Sequence, residues 1–313
     1  MMKSLRVTGK TSKLFSVVVL FMLLLGTTAS ADITAAFVDI GCGARPMGMG
    51  GAFTALSDDA HAIFWNPAGL TLMERSQLAM MHTKQFGLIP YSLGAYSSHI
   101  KKNHIGVAYL TSGNDALKEN TVFASYARAF QLPLLGLTRF GLNLRYRSAS
   151  FGNNEDGGEE RSKGSATGFG FDLGILWKLD QTTRFGIFAR DLINNMNYDN
   201  KTRQVEYSEK VPAALIFGLA REFGTAAVFA VDWDKSLHKD TPEKIHIGGE
   251  LTLLKIMMLR AGLWQNVDTY RNLNYSLGFG LQITKHKLGA QFDFAYIFND
   301  LANTPRISLS IYH

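Results

Sequence analysis

The chain has 313 residues, with 32 Lys and Arg against 26 Asp and Glu and a formal net charge of +6. Four of the basic residues lie within the first 13 positions, and no later block of Lys and Arg with interleaved aromatic residues argues for a nucleic-acid partner. Cys42 is the only cysteine, which excludes an internal disulfide and a metal site built on thiolates.

The N-terminus has the three parts of a secretory signal peptide. A cationic start without acidic residues precedes the apolar run 14–25, and the small residues 26–31 (GTTASA) follow it. This pattern predicts cleavage after Ala31, so that residues 1–31 are a signal peptide and the mature chain carries 28 basic against 26 acidic residues. The alternative is a membrane anchor helix, which needs about 20 apolar residues and therefore a longer run.

Residues 32–75 lack a regular apolar period and are rich in Gly and Ala, which allow backbone to pack closely against backbone. Asp58 is predicted to cap a short helix that extends to Trp65. Asn66 must leave the helical region because Pro67 follows it. We expect a compact plug with short helices, placed ahead of a β-domain that spans residues 76–313.

The remainder of the chain alternates with a period of two. In the stretch 272–284, large apolar residues occupy every second position, and small or polar residues occupy the positions between them. Successive side chains of a strand point to opposite faces, whereas a helix would scatter this pattern around its axis. About fourteen such segments, many of about ten residues, suit tilted strands that cross a bilayer and close without a free edge. They begin near residues 77, 91, 104, 121, 138, 167, 183, 211, 225, 244, 257, 272, 286 and 306.

The connections alternate in length. Those after even-numbered strands are mostly tight, as at 101–103, 180–182 and 285–287, with 131–137 as a longer exception. The longest polar connections, 153–166 and roughly 194–210, both follow odd-numbered strands. Short turns at one end and long loops outside the cell are typical of outer-membrane barrels. The predicted fold is therefore all-β, a transmembrane antiparallel β-barrel with an N-terminal plug.

The polar face of these strands carries many charges. A secreted soluble β-sandwich also alternates, but it could not bury so many charges in a narrow core. In a membrane barrel the apolar face meets lipid, and the charged face lines the lumen. We hypothesise that the lumen charges pair with each other and with the plug, which closes the barrel at rest. They are Arg145, Arg147, Asp172, Arg190, Asp232, Asp234, Glu250 and Arg260.

Four segments before the barrel resemble the signature of the PorV/PorQ family, a branch of the FadL-like outer-membrane proteins. These segments are 43–45 (GAR), 48–53 (GMGGAF), 57–59 (SDD) and 65–70 (WNPAGL). The resemblance implies fourteen strands and an N-terminal hatch in the lumen, with Asn66, Pro67, Ala68 and Gly69 as the hatch motif. The chain departs from the usual assembly pattern by ending in Tyr312-His313, where a terminal aromatic such as Phe is common.

The resemblance implies two alternative functions. The first is a non-enzymatic component of protein secretion or surface attachment of the type IX kind, with secretion-system proteins or exported cargo as partners. The second is a FadL-like channel for small hydrophobic molecules. The first is favoured because the motif is closer to the PorV/PorQ branch and because the two longest connections are hydrophilic. Either barrel would have outer-membrane lipid around it.

An enzyme is a third hypothesis, which the sequence disfavours. His61 lies near Asp58 and Asp59, but a helix cap accounts for this grouping better than acid–base chemistry. Asp232 and Asp234 share a face at a spacing that could suit a cation, yet pairing with Arg is the better account. The segment 48–51 (GMGG) lacks the spacing and context of a dinucleotide fingerprint. We therefore predict no catalytic residue, cofactor or metal.

Overall fold

The computed structural model describes residues 40–153, 162–238, 241–267, 273–299 and 302–313. The predicted signal peptide and residues 32–39 lie outside the described part of the chain. Two short helices, α1 (Ala44–Gly48) and α2 (Ala62–Trp65), and a 3-10 helix (Pro67–Leu72) precede the strands. None of the described helices is long and apolar enough to span a membrane.

Fifteen strands form one antiparallel sheet that closes on itself, because the last strand pairs with the first. The strands are β1 (Gln77–Gln85), β2 (Ile89–Ile100), β3 (Asn103–Gly113), β4 (Leu117–Leu132), β5 (Gly136–Phe151), β6 (Gly164–Lys178), β7 (Thr183–Asn200), β8 (Val205–Lys210), β9 (Ala214–Phe223), β10 (Ala227–Ser236), β11 (Lys244–Leu253), β12 (Met257–Asn266), β13 (Leu273–Lys285), β14 (Leu288–Phe298) and β15 (Thr304–Tyr312). Closure leaves no edge of the barrel wall unpaired in lipid.

Strands β8 and β9 are two parts of one wall position. Residues 195–200 of β7 pair with β8, and residues 183–190 of β7 pair with β9. The break at 211–213 contains Pro212, which cannot donate a backbone hydrogen bond to a neighbouring strand. The wall therefore has fourteen positions, and the predicted fourteen-stranded antiparallel barrel is confirmed.

Two predicted connections were wrong. The segment 194–210, predicted as a long loop, forms the end of β7, a turn at 201–204 and strand β8. The sequence did not predict this hairpin because its strands carry polar residues on both faces and therefore show no apolar alternation. The segment 131–137 contains only a three-residue turn between β4 and β5. Of the predicted loop 153–166, residues 154–161 lie outside the described residues, and β6 already begins at Gly164.

The two ends of the barrel differ. One end, called the turn end, carries the start of β1, the end of β15 and the connections 101–102, 133–135, 179–182, 224–226, 254–256 and 286–287. The opposite end, called the loop end, is where the longer connections join β5 to β6, β10 to β11, β12 to β13 and β14 to β15, each of which includes residues outside the described part of the chain. This asymmetry identifies the loop end as the outer, cell-surface end of such a barrel.

The two faces of the wall follow the predicted alternation. Outward side chains such as Phe169 (72% exposed) and Leu277 (56%) are large and apolar, as contact with lipid requires. Inward side chains such as Asn143, Arg145 and Asp172 are polar and buried. They are buried because the described residues 40–75 fill the lumen and contact the wall from inside.

Asn66 and Pro67 mark the junction between α2 and the 3-10 helix. Asn66 is extended, with φ −171° and ψ 102°, as the following Pro67 demands. The predicted cap on Asp58 was wrong. Helix α2 begins at Ala62, and the carboxylate of Asp59 accepts from the His61 N–H. Asp58 binds Arg45 instead.

Candidate functional site

The contact between the hatch (the described residues 40–75) and the wall depends on glycines that face the lumen. A Cβ at Gly248 would lie 2.2 Å from the Met49 carbonyl oxygen, and one at Gly262 would lie 2.0 Å from the Gly50 nitrogen. Glycine within a strand marks close approach of another backbone. These positions form a glycine ring around the hatch, made of Gly106, Gly141, Gly174, Gly186, Gly218, Gly248, Gly262 and Gly278.

The hatch motif lies inside this ring. The Asn66 side-chain oxygen accepts from the Ala68 N–H at 3.2 Å, and its amide donates to the carbonyl oxygens of Thr54 at 3.0 Å and Ile175 at 3.2 Å. Ala68 lies against Gly141, and a Cβ at Gly69 would lie 1.9 Å from the Ser57 carbonyl oxygen. The motif therefore joins two parts of the hatch and attaches them to β6.

Asp232 on β10 holds the hatch through its backbone. Its Oδ2 accepts from the N–H groups of Phe53 at 2.9 Å and Thr54 at 2.8 Å, and its side chain is buried. Asp234, two residues further on the same face, pairs with Arg190 at 3.4 Å. The two carboxylates thus bind different donors. Among the described residues, no group of three or more His, Cys, Asp or Glu is arranged to hold a metal ion.

A second set of contacts, the Arg45 cluster, joins α1 to the wall. Arg45 bonds to Asp58 at 2.6 Å and Asp59 at 2.8 Å within the hatch, and to Glu250 of β11 at 3.0 Å. Arg260 of β12 bonds to Glu250 at 2.6 Å and also to Asp293 of β14 at 2.7 Å. The Arg45 cluster consists of Arg45, Asp58, Asp59, Glu250, Arg260 and Asp293.

The charges of the Arg45 cluster shift the pKa values of its hatch members. Burial favours the neutral forms, but the neighbouring carboxylates outweigh it and raise the pKa of Arg45. Burial also opposes ionisation of Asp59, yet His61 and Arg45 lower the pKa of that carboxyl well below its usual range. The shifts of Arg45 and Asp59 both favour the charged forms of these two groups, in a cluster that bridges hatch and wall.

A third set, the Arg145 cluster, lies on the opposite side of the lumen. Arg145 binds Asp172 and also Asp191 at 3.1 Å, and Arg147 binds Asp191 at 2.9 Å. Asn143 donates to Asp172 at 2.9 Å and to the carbonyl oxygen of Ile63 in the hatch at 2.8 Å. Through Asn143, this cluster also contacts the hatch.

Asp191 was missed in the sequence because strict alternation would point it toward lipid. The β6–β7 register shifts between Phe171 and Leu173, and Asp191 has a positive φ of 56°. This bulge turns the consecutive residues Arg190 and Asp191 both toward the lumen. The adjacent charged pair in the middle of a strand was the signal that could have located the bulge.

Arg306 of β15 was also missed. Its guanidinium donates to the carbonyl oxygens of Gly41, at 2.5 Å, and Ile40, and it is 2% exposed. The sequence signal for Arg306 was its position on the face of the predicted last strand opposite to the apolar residues. The contacts above place Arg145, Arg147 and Asp172 in the Arg145 cluster and Glu250 and Arg260 in the Arg45 cluster, while Asp232 and the Asp234–Arg190 pair make separate contacts.

Two cavities lie between the hatch and the loop end. One has a cavity volume of about 80 Å³ and is lined by Phe64, Trp65, Tyr91, Phe123, Arg147 and Phe188 among others. The other also has a cavity volume of about 80 Å³, and Trp65, Arg190 and His246 contribute to its lining. Cys42 also lines the first cavity, where burial raises the pKa of its thiol. Aromatic surface with a few arginines suits a small, largely apolar guest.

A family model described as "Type IX secretion system membrane protein PorP/SprF" matches residues 60–311. The chain belongs to this family. The expected link to type IX secretion membrane proteins is therefore confirmed, although the family that matches is PorP/SprF, where the hatch motif had suggested PorV/PorQ. No curated protein matches the sequence.

Solved FadL-like channels share the fold of this PorP/SprF protein. The CymD monoaromatic hydrocarbon channel is 17% identical, with a TM-score of 0.62 over 87% of this chain and 97% of that one. A Pseudomonas aeruginosa FadL homologue is 12% identical, with a TM-score of 0.59 over 86% and 97%. The Pseudomonas putida toluene transporter TodX is 12% identical, with a TM-score of 0.56 over 87% and 97%. The chain is an outer-membrane β-barrel, and its family and structural neighbours are secretion and channel proteins.

Proposed function

We propose that this barrel is a non-enzymatic component of type IX protein secretion or surface attachment that acts as a closed scaffold. The observation that carries the proposal is the attachment of the hatch to the wall on all sides. Glycines of β3, β5, β6, β7, β9, β11, β12 and β13 contact it, and the two charged clusters flank it. A lumen filled in this way supports a role in which the barrel presents a surface to partner proteins. Membership of the PorP/SprF family supports the same role.

The hatch motif adds to this proposal. The resemblance of residues 43–70 to PorV/PorQ proteins favours a secretion partner over a transporter. We propose the mature boundaries as a signal peptide 1–31, a hatch 32–75 and a barrel 76–313, which N-terminal sequencing of the purified protein would test at Ala31.

An affinity pull-down from gently solubilised outer membranes tests the proposed function. The tagged barrel should recover secretion-machinery components, or exported proteins that share a C-terminal sorting domain. An unrelated outer-membrane barrel from the same cells, tagged and solubilised in the same way, is the control. Recovery of the same proteins with both barrels, or of this barrel alone, would contradict the role in secretion.

The lumen charges give the proposal an electrical test. Each lumen arginine bonds to a carboxylate, so that paired charges leave no continuous charged path past the hatch. The pairs are Arg145 with Asp172 and Asp191, Arg147 with Asp191, Arg190 with Asp234, and Arg260 with Glu250 and Asp293. Planar bilayers that contain the purified barrel should then show a low resting ion conductance. A high resting conductance would contradict a closed scaffold.

A FadL-like channel for small hydrophobic molecules is the second candidate, and the two cavities beside Trp65 favour it. Deletion of residues 32–70 with the signal peptide retained separates the two functions. If the hatch gates a channel, the deletion should raise permeability to hydrophobic dyes. If the hatch only fills the lumen, the deletion should mainly lower the yield of folded barrel.

A further inference from the structure

Strand β8 is paired along only one of its two edges. All of its pairing is with residues 195–200 of β7. On its other side the neighbouring strand would be β10, but β10 ends at Ser236 and does not extend far enough toward the loop end. The next residue, Leu237, donates its N–H to the carbonyl oxygen of Ala213, which follows β8 in the chain. Within the part of the chain that the structure describes, no strand pairs with this edge of β8.

This edge lies at the loop end, past the point at which β10 ends. Alternate residues of an edge strand direct their N–H and C=O groups away from the paired neighbour, so the edge can accept another extended chain. Six residues give it a length of about 20 Å at roughly 3.3 Å per residue. The side chains from Val205 to Ser208 are exposed, so none of the described residues packs over this part of the strand.

The hairpin also places two like charges opposite each other. Asp199 of β7 lies directly opposite Glu206 of β8, and both side chains are exposed on the same face. Like charges directly opposite each other destabilise a pair of strands. Neither carboxylate forms an ion pair with any of the residues that the structure describes. A Lys or Arg on a strand added beside Glu206 would neutralise this acidic pair.

A second copy of the barrel does not fit this edge. Two copies in one membrane are related by an axis along the membrane normal, so their β8 strands would run in the same direction and at the same depth. Glu206 would then lie beside Glu206, and Glu209 beside Glu209, which adds repulsion. The charges thus argue against a second copy and favour a different chain as the occupant, and at the loop end that chain is outside the cell.

We propose that β8 binds an extended segment of an exported protein by strand addition, with a Lys or Arg of that segment beside Glu206. Backbone hydrogen bonds along β8 supply the attachment, and the acidic pair supplies the preference for a basic segment. This proposal rests on the proposed role in secretion or surface attachment and assigns one part of the barrel to contact with cargo.

Site-specific photo-crosslinking in living cells tests the position. A photo-reactive phenylalanine derivative replaces Ser208, which is exposed on the free edge strand. The control carries it at Lys118, which is also exposed near the loop end but lies in β4, paired on both sides with Gly113 and Ser150. Adducts with exported polypeptides should form at position 208 and be absent at position 118. Equal adducts at both positions, or none, would overturn the proposal.

A charge variant and hydrogen exchange test the mode of binding. Glu206→Lys should lower the adduct yield about two-fold to ten-fold, because one attractive cross-strand pair becomes repulsive. Asp115→Lys makes the same charge change at another exposed loop-end position and should leave the yield unchanged. In the isolated adduct, the amides of 205–210 should exchange more slowly than in the free barrel. Unprotected amides, or a normal yield with Glu206→Lys, would overturn strand addition.

A strain that lacks the barrel separates the two proposals. If its loss lowers the amount of exported protein at the cell surface while the β8 results are negative, the role in secretion stands and strand addition is wrong. If its loss leaves surface proteins unchanged, the proposed function itself is wrong.

Discussion

A single carboxylate on β10 binds the backbone of the hatch. Asp232 accepts two backbone N–H groups of the hatch, from Phe53 and Thr54, at 2.9 and 2.8 Å. Both residues are fully buried, so these N–H groups cannot reach bulk water while the hatch stays in place. Asp232→Ala removes the acceptor and leaves two buried donors unpaired.

The size of the effect follows from that count. Each buried polar group left without a partner costs about 1–3 kcal/mol, so the substitution should disfavour the docked hatch by about 2–6 kcal/mol. At about 1.4 kcal/mol per factor of ten, the undocked population rises roughly 30-fold to 20,000-fold. Asp232 lines the second of the two cavities, and water entering the space left by the carboxylate would favour the lower part of that range.

Conductance of the purified barrel in planar bilayers reports undocking, because a displaced hatch opens the lumen. Asp234→Ala is the matched control, since Asp234 lies on the same strand and face but bonds to Arg190 of the wall. We expect frequent openings with Asp232→Ala and few with Asp234→Ala. If the two variants conduct alike while both fold, the hatch is not held through Asp232, and this reasoning is refuted.

Other wall and hatch positions yield further predictions. Gly262→Ala should destabilise the folded barrel by about 1–3 kcal/mol or more in thermal unfolding, because its Cβ would meet hatch backbone, whereas Gly249→Ala has no atom within 3.8 Å and should be tolerated. Arg306→Lys should speed hydrogen exchange around Gly41, since an ammonium cannot replace the forked contact; unchanged exchange would contradict this role. The lowered pKa of Asp59 means that its stabilisation of the hatch persists above about pH 4 and is lost as the pH falls through the lowered value. Conductance during acidification should therefore rise only below about pH 4, and Asp59→Asn should weaken that dependence.

The wall could be predicted from the sequence because each strand obeys one simple rule. Lipid outside and a polar lumen inside impose strict alternation, as in β13, where Leu273, Leu277 and Leu281 all face outward and are exposed. Alternation failed to predict the structure at two places in the wall. The β7–β8 hairpin at the loop end carries polar residues on both faces, and the bulge at Asp191 places two neighbouring residues on one face.

The positions of the hatch contacts could not be predicted in the same way. Eight lumen charges followed from the alternation, but their partners depend on which strands curve toward each other across the lumen. Glu250 joins Arg45, which precedes it by about two hundred residues, and no local pattern encodes that distance. The glycine ring was visible as small residues on the inner face, but its partner backbone was not.

The contacts of the hatch also explain why its own sequence shows no regular period. Its backbone is irregular, and the wall satisfies much of its hydrogen bonding: Asp232 accepts hatch N–H groups, while Asn143, Arg306 and Ser276 donate to hatch carbonyls. Buried backbone groups must find partners, and here those partners belong to other segments. The charges in the lumen are therefore part of the hatch fold. Any displaced position of the hatch leaves several of these groups unpaired at once, so a movement large enough to open the barrel needs an occupant or a partner to replace those bonds.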